Sequence, residues 1–197
     1  CELPDFKVYP AYDKLAYSYD ERYETEACKE ENRDIQALLN RYVGDHNRVL
    51  DVGCGTGFGL RILNDKNVQY TGVDTARRMI TIAYARYPDA TFILGDADDF
   101  EGTYDTIISL FSIPYMGLDG LKKYLAKGRQ GGRFVAVYYD TPYLNPASLY
   151  VGHEARFEQE RRPQVEQIIS YLRSELEVLE EGPIGNLGAY RYIVCDL

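Results

Sequence analysis

Val49-Leu50-Asp51-Val52-Gly53-Cys54-Gly55-Thr56-Gly57 decides how this chain folds. An apolar run meets Asp51 and breaks into alternate glycines, the pattern of a buried parallel strand turning sharply into a helix with bare backbone in the turn. Ordered glycine is costly where nothing needs the room, so the turn predicts a close-lying ligand. The expected ligand contains a nucleoside.

Outward from this turn, strands and helices alternate. Strands are expected over Arg48–Val52, Gln69–Asp74, Thr91–Leu94, Thr106–Leu110 and Arg133–Tyr139, with helices over Gly57–Asn64, Ala76–Arg86 and Leu118–Lys127. Such alternation predicts βαβ units and a parallel sheet covered on both faces. Val178–Ile184 and Tyr190–Cys195, joined across Gly185-Asn186-Leu187-Gly188, add a closing hairpin, so an antiparallel edge strand finishes the sheet. The fold class is therefore α/β: a doubly wound, mostly parallel, seven-stranded Rossmann-like sheet whose last strand is antiparallel, with an N-terminal helical cap.

The chain, 197 residues long, fits one domain. Residues 1–45 form the cap, in which Ile35, Leu38, Leu39, Tyr42 and Val43 recur at helical spacing within Glu26–Val43 and Gly44 ends the helix. Residues 46–140 form the ligand-binding core. Residues 141–162, rich in aromatics and prolines without a clean period, read as a loop or substrate lid. Residues 163–197 supply the closing helix (Gln164–Leu179) and the hairpin.

Apolar residues at 45% and charged residues at 27% describe an ordinary globular protein rather than a disordered one. A net charge of −9 argues against nucleic acid, whose binding needs a basic face. The small clusters Arg77-Arg78, Lys122-Lys123 and Arg161-Arg162 suit solvated helix faces. The longest uncharged stretch, Thr106 to Leu118, is shorter than the roughly 20 apolar residues of a membrane span. Cys1-Glu2-Leu3-Pro4-Asp5 does not resemble a secretory signal. Cys1, Cys28, Cys54 and Cys195 form neither a metal-ligand spacing nor a disulfide framework, so no metal and a cytoplasmic setting are expected.

Asp51, Asp74 and Asp96 close successive strands, where open parallel sheets bind ligands. Asp74 lies about 20 residues beyond Gly53, the place from which a carboxylate holds a ribose diol. Two acceptor oxygens match adjacent hydroxyls, although aspartate there also suits a helix cap. A dinucleotide turn wants Gly-x-Gly-x-x-Gly, but Phe58 holds the third position. Asp51 would also repel a pyrophosphate and attract a cation. Together these features favour a cationic, phosphate-free nucleoside over a nicotinamide dinucleotide.

The same motif resembles the first motif of class I S-adenosylmethionine-dependent methyltransferases. Further motifs follow in the family's order: Tyr70-Thr71-Gly72-Val73-Asp74 with Ala76-Arg77-Arg78-Met79, then Phe92-Ile93-Leu94-Gly95-Asp96-Ala97, Tyr104-Asp105-Thr106-Ile107-Ile108-Ser109 and Gly131-Gly132-Arg133-Phe134-Val135. The resemblance covers about residues 45 to 140. It implies S-adenosylmethionine as cofactor and methyl transfer as activity. It places Gly53, Cys54, Gly55 and Gly57 under the methionine part, Asp51 near its ammonium, Asp74 on the ribose and Thr75 near the adenine. It also implies Asp96 and Ala97 at the adenine, Ser109 beside the methyl group, and Tyr19 as an N-terminal tyrosine closing over the cofactor.

On the acceptor side, Ser112-Ile113-Pro114-Tyr115 superficially resembles the (Asp/Asn/Ser)-x-Pro-(Tyr/Phe) motif of enzymes that methylate planar amino groups. It falls later after the fourth strand than that motif should, and a proline turn with a packed tyrosine is the plainer account. His153 in the expected lid has a pKa range suited to a base, although a loop histidine is more often simply exposed. Tyr115 and His153 are the catalytic candidates. Methylation of a small molecule is the reading, with a non-catalytic cofactor-binding or regulatory protein and a protein methyltransferase as alternatives.

Overall fold

The computed structural model describes residues 12, 16–17, 20, 26–139, 153–185 and 190–197, with the helical backbone alone described at 27 and 153–161. In chain order the elements are α1 (Glu26–Tyr42), β1 (Arg48–Val52), α2 (Phe58–Ile62), β2 (Gln69–Asp74), α3 (Arg77–Arg86), β3 (Thr91–Leu94) and β4 (Tyr104–Leu110). There follow α4 (Ile113–Leu125), β5 (Gly128–Tyr139), α5 (His153–Glu175), β6 (Val178–Ile184) and β7 (Tyr190–Asp196).

The strands form one seven-stranded sheet in the order β3-β2-β1-β4-β5-β7-β6. The pairs β1–β2, β1–β4, β2–β3 and β4–β5 are parallel, and β7 runs antiparallel to both β5 and β6. The expected antiparallel finish to the sheet is observed: the hairpin inserts β7 antiparallel between β5 and β6, and β6, paired antiparallel with β7, is the edge. Ile193, Val194 and Cys195 of β7 are all fully buried, which requires cover on both faces and a partner on each side. β6 carries Glu180, Glu181 and Pro183, residues suited to an edge.

Alternation along the strands builds two cores. In β1, Val49 packs with Ile35, Leu38 and Leu39 of α1, Phe58 and Ile62 of α2 and Ile80 and Ala83 of α3. Leu50 and Val52 face the other way, toward Leu121 and Tyr124 of α4 and Ile168 and Leu172 of α5. Helices therefore cover both faces, as double winding requires.

Element bounds differ most at the starts of three elements. Helix α4 begins at Ile113 rather than Leu118 because Pro114 suits a first turn, and Gly117 (φ 65°, ψ 169°) breaks the helix between the two starts. Strand β5 begins at Gly128 rather than Arg133. Helix α5 begins at His153, so residues 153–162 are helical rather than part of a loop. The remaining lid residues, up to 152, lie outside the described residues.

Candidate functional site

β1 is the switch point of the sheet: the chain winds outward to β2 on one side and to β4 on the other. A crevice of about 300 Å³ opens at the carboxyl ends of these strands, at the low end of small-molecule sites. Gly53, Gly55, Asp74, Thr75, Asp96, Ala97 and Tyr115 line it, so residues separated in sequence meet in one place.

The glycine turn is built by close approach. Gly53 (φ 71°) donates its N–H to the Val73 carbonyl at 2.8 Å, and a Cβ there would sit 2.4 Å from Ser112 Cβ. Gly57 (φ 92°) serves packing instead. It is not among the crevice residues, and its Cβ would strike the Tyr87 ring at 2.7 Å. Gly59, in the first turn of α2, serves packing as well. A Cβ there would fall 2.2 Å from Asp51 Oδ2, so only glycine lets α2 close over that carboxyl.

Asp74 joins the two readings made from sequence. Its Oδ1 accepts from the Ala76 N–H at the start of α3, and its Oδ2 accepts from the Gly55 N–H, each at 2.8 Å. The carboxylate thus caps the helix, pins the glycine turn and still lines the crevice. Asp96 is exposed on the crevice wall, its loop held by the Asp96 N–H donating to Asp99 Oδ2 at 2.8 Å. Ala97 is buried beside it.

Asp51, Cys54 and Ser109 are not on the crevice wall. Asp51 is 1% exposed and points to the α2 face, where the Tyr70 hydroxyl donates to Oδ2 at 2.5 Å. Burial pushes its carboxyl up to about 7, against the lowering effect of the Tyr70 bond and with a small further rise from the charge of Asp74. Cys54 is buried against Gly72, and burial pushes its thiol well above the ordinary range. Ser109 is fully buried, its Oγ 2.7 Å from Ser112 Oγ. Ser112, which also donates to the Val52 carbonyl, stands on the wall that Ser109 was expected to form.

Tyr115, in the first turn of α4, reaches the crevice, and its oxygen accepts from the Tyr12 hydroxyl at 2.6 Å with the rings edge to face. Tyr12 was missed; nothing in an irregular, tyrosine-rich segment distinguishes it. Asp119, Gly120 and Lys123, also crevice residues, lie at helical spacing on α4 beyond the Gly117 break, and Met116 reaches the crevice from before it. Tyr19 lies outside the described residues, and His153 begins α5 with its side chain outside them.

The donor set suits a phosphate-free nucleoside. Among the described residues lining the crevice, Lys123 is the one basic side chain, and it pairs with Asp98. Asp74, Asp96 and Asp119 face the same space, where a pyrophosphate would be repelled. Among the described residues no group of acidic, histidine or cysteine side chains could hold a metal ion, and no helix is long and apolar enough to cross a membrane.

Known proteins agree with this geometry. A family model described as a methyltransferase domain matches residues 49–130. A demethylmenaquinone methyltransferase of Beutenbergia cavernae is 28% identical over 74% of this chain, which spans about half (56%) of that relative's length. The [4+2]-cyclase SpnF superposes with a TM-score of 0.73 at 14% identity, covering 98% of this chain and 96% of its own. A SAM-dependent methyltransferase from Aquifex aeolicus gives a TM-score of 0.69 at 13% identity, with 90% and 96% covered. Residues 49–130 thus match a methyltransferase domain, and the sheet is wound as in the solved SAM-dependent methyltransferase from Aquifex aeolicus.

Proposed function

We propose that this protein binds S-adenosylmethionine in the crevice and transfers its methyl group to a small-molecule acceptor. The observation that carries the reading is the convergence of Gly53, Gly55, Asp74, Asp96 and Ala97 on one crevice of suitable size with no unpaired basic side chain among its described residues. Asp74 would hold the ribose hydroxyls, with Thr75, Asp96 and Ala97 at the adenine and the Gly53–Gly55 backbone under the methionine part. When bound, the cofactor supplies an electrophilic methyl group on a cationic sulfur.

The chain's own task is then to orient and to exclude water, since alignment of reacting groups lowers the barrier substantially. Ser112 and the Tyr12–Tyr115 pair stand where an acceptor would approach from the β4 side. Their hydroxyls can orient a polar acceptor, and the tyrosine faces can stabilise passing positive charge. A small-molecule acceptor is supported by the substrate in the name of the Beutenbergia cavernae relative and by the acidic charge of the chain. Buried thiols at Cys54 and Cys195 suit a reducing, cytoplasmic setting.

The test has two steps. S-adenosylmethionine raises the melting temperature and NAD does not; the reverse result overturns the cofactor reading. Methyl-labelled cofactor is then incubated with cell extract and the products separated by size. Label confined to small molecules supports the proposal, label in protein makes a protein the acceptor, and no transfer leaves a cofactor-binding protein.

A further inference from the structure

Asp51 is an ionisable group buried without a cation. Among the described residues its Oδ1 is the one buried side-chain polar atom that lacks a hydrogen-bond partner. The groups that face it come from four elements: Tyr70 and Asp74 from β2, Cys54 from the turn, Phe58 and Gly59 from α2, and Ile108 and Leu110 from β4. None of the ion pairs among the described residues includes Asp51. A bare carboxylate in such a place is penalised by lost hydration, whereas the neutral acid is not.

Beside this carboxyl is a second, smaller cavity of about 20 Å³, enough for one water molecule. It is lined by Asp51, Cys54, Phe58 and Gly59, and it shares Gly53, Gly55 and Leu110 with the main crevice. The glycine backbone and one leucine therefore form a common border between the two spaces. Protonated on Oδ1, Asp51 would donate to a water held in the small cavity while Oδ2 accepts from Tyr70, which would satisfy both oxygens.

We propose that Asp51 is held as a neutral acid in the free protein and releases its proton when a cationic ligand occupies the crevice, so that ligand uptake and proton release are one event. The O–H bond at Oδ1 breaks, the proton leaves through the small cavity to solvent, and the resulting carboxylate faces the positive charge across the glycine turn. The Tyr70 hydroxyl remains donated to Oδ2 throughout and stabilises the ionised form. This inference rests on the cofactor reading above.

The experiment is titration calorimetry of S-adenosylmethionine into the whole protein, in two buffers of different ionisation heat, between about pH 6 and 8. The expected result is release of up to about one proton per bound ligand at the acid end, falling as the pH rises through the range. Asp51→Asn binds with a heat that no longer depends on buffer. Tyr70→Phe, which removes the donor to Oδ2, moves the release toward higher pH. Wild-type binding whose heat is the same in both buffers throughout the range overturns the proton linkage and leaves the cofactor reading intact. Absence of any binding overturns both. Release unchanged in Tyr70→Phe shows that the proton comes from elsewhere and overturns the assignment to Asp51.

Discussion

The Tyr70 hydroxyl is hydrogen-bonded to Asp51 at 2.5 Å across the β1–β2 pair, and both side chains are buried beneath α2. A strand that delivers the glycine turn therefore also carries an acid into the core. Its energetic consequence has a definite sign.

Burial raises the Asp51 carboxyl from 3.8 to about 7, so the folded protein binds this proton more tightly than the unfolded chain. The stabilising contribution is complete below the unfolded value and is lost as pH rises through the folded one. Wild type should lose about 1–3 kcal/mol more than Asp51→Asn between about pH 4 and 8, the ordinary cost of a poorly partnered buried polar group. Glu31, pushed up to about 7 by burial and by Glu30 and Asp34, contributes the same slope to both proteins. Urea melts of the two proteins across this range measure the difference. Parallel stability curves would refute the assignment.

Gly59→Ala should destabilise by about 1–3 kcal/mol, because its Cβ would fall 2.2 Å from Asp51 Oδ2 and neither α2 nor β1 can yield freely. Gly120→Ala is the contrast. Its Cβ would meet only Met116 Cβ at 3.6 Å, within helix α4, and alanine there should stabilise by about 0.5–1 kcal/mol. Thermal melts of both variants test the pair, and equal melting temperatures would contradict the packing argument at Gly59.

Asp74→Ala leaves the N–H groups of Gly55 and Ala76 without their acceptor and should lower stability by about 1–3 kcal/mol. Affinity for S-adenosylmethionine should fall by roughly 10-fold or more, since about 1.4 kcal/mol corresponds to a factor of ten. Asp74→Asn, which keeps one acceptor oxygen, should fall between wild type and alanine in both respects. Affinity unchanged in the alanine variant would remove Asp74 from the ribose.

Much of the core fold was legible because its signals are local. Apolar runs and helical spacing identified the strands and helices between residues 48 and 139, and the glycine turn marked where the ligand-binding crevice opens. Which hairpin strand lies inside the sheet was not legible, because the apolar run of β7 records burial on both faces but not which strands lie beside it. The start of α5 was missed because a segment dominated by charged and polar residues has no apolar stripe to betray its helical period.

For the site, the strand ends make Asp74, Asp96, Gly53 and Gly55 neighbours, since parallel strands bring their carboxyl ends together. Ser109 and Ser112 exchanged places because strand alternation and the turn after β4 settle which hydroxyl is covered. Tyr12 could be found only in three dimensions, through its contact with Tyr115 from the far end of the sequence.

The amino-acid order by itself thus determined the winding of the sheet and the resemblance to a methyltransferase domain, through periodicity, turn chemistry and the spacing of glycines and carboxylates. Only the tertiary structure decided which acids face ligand and which face the core. That choice depends on packing across strands: Asp74 ends β2 at the open crevice, whereas Asp51, in the neighbouring strand, is turned under α2 because Gly59 leaves just enough room for it.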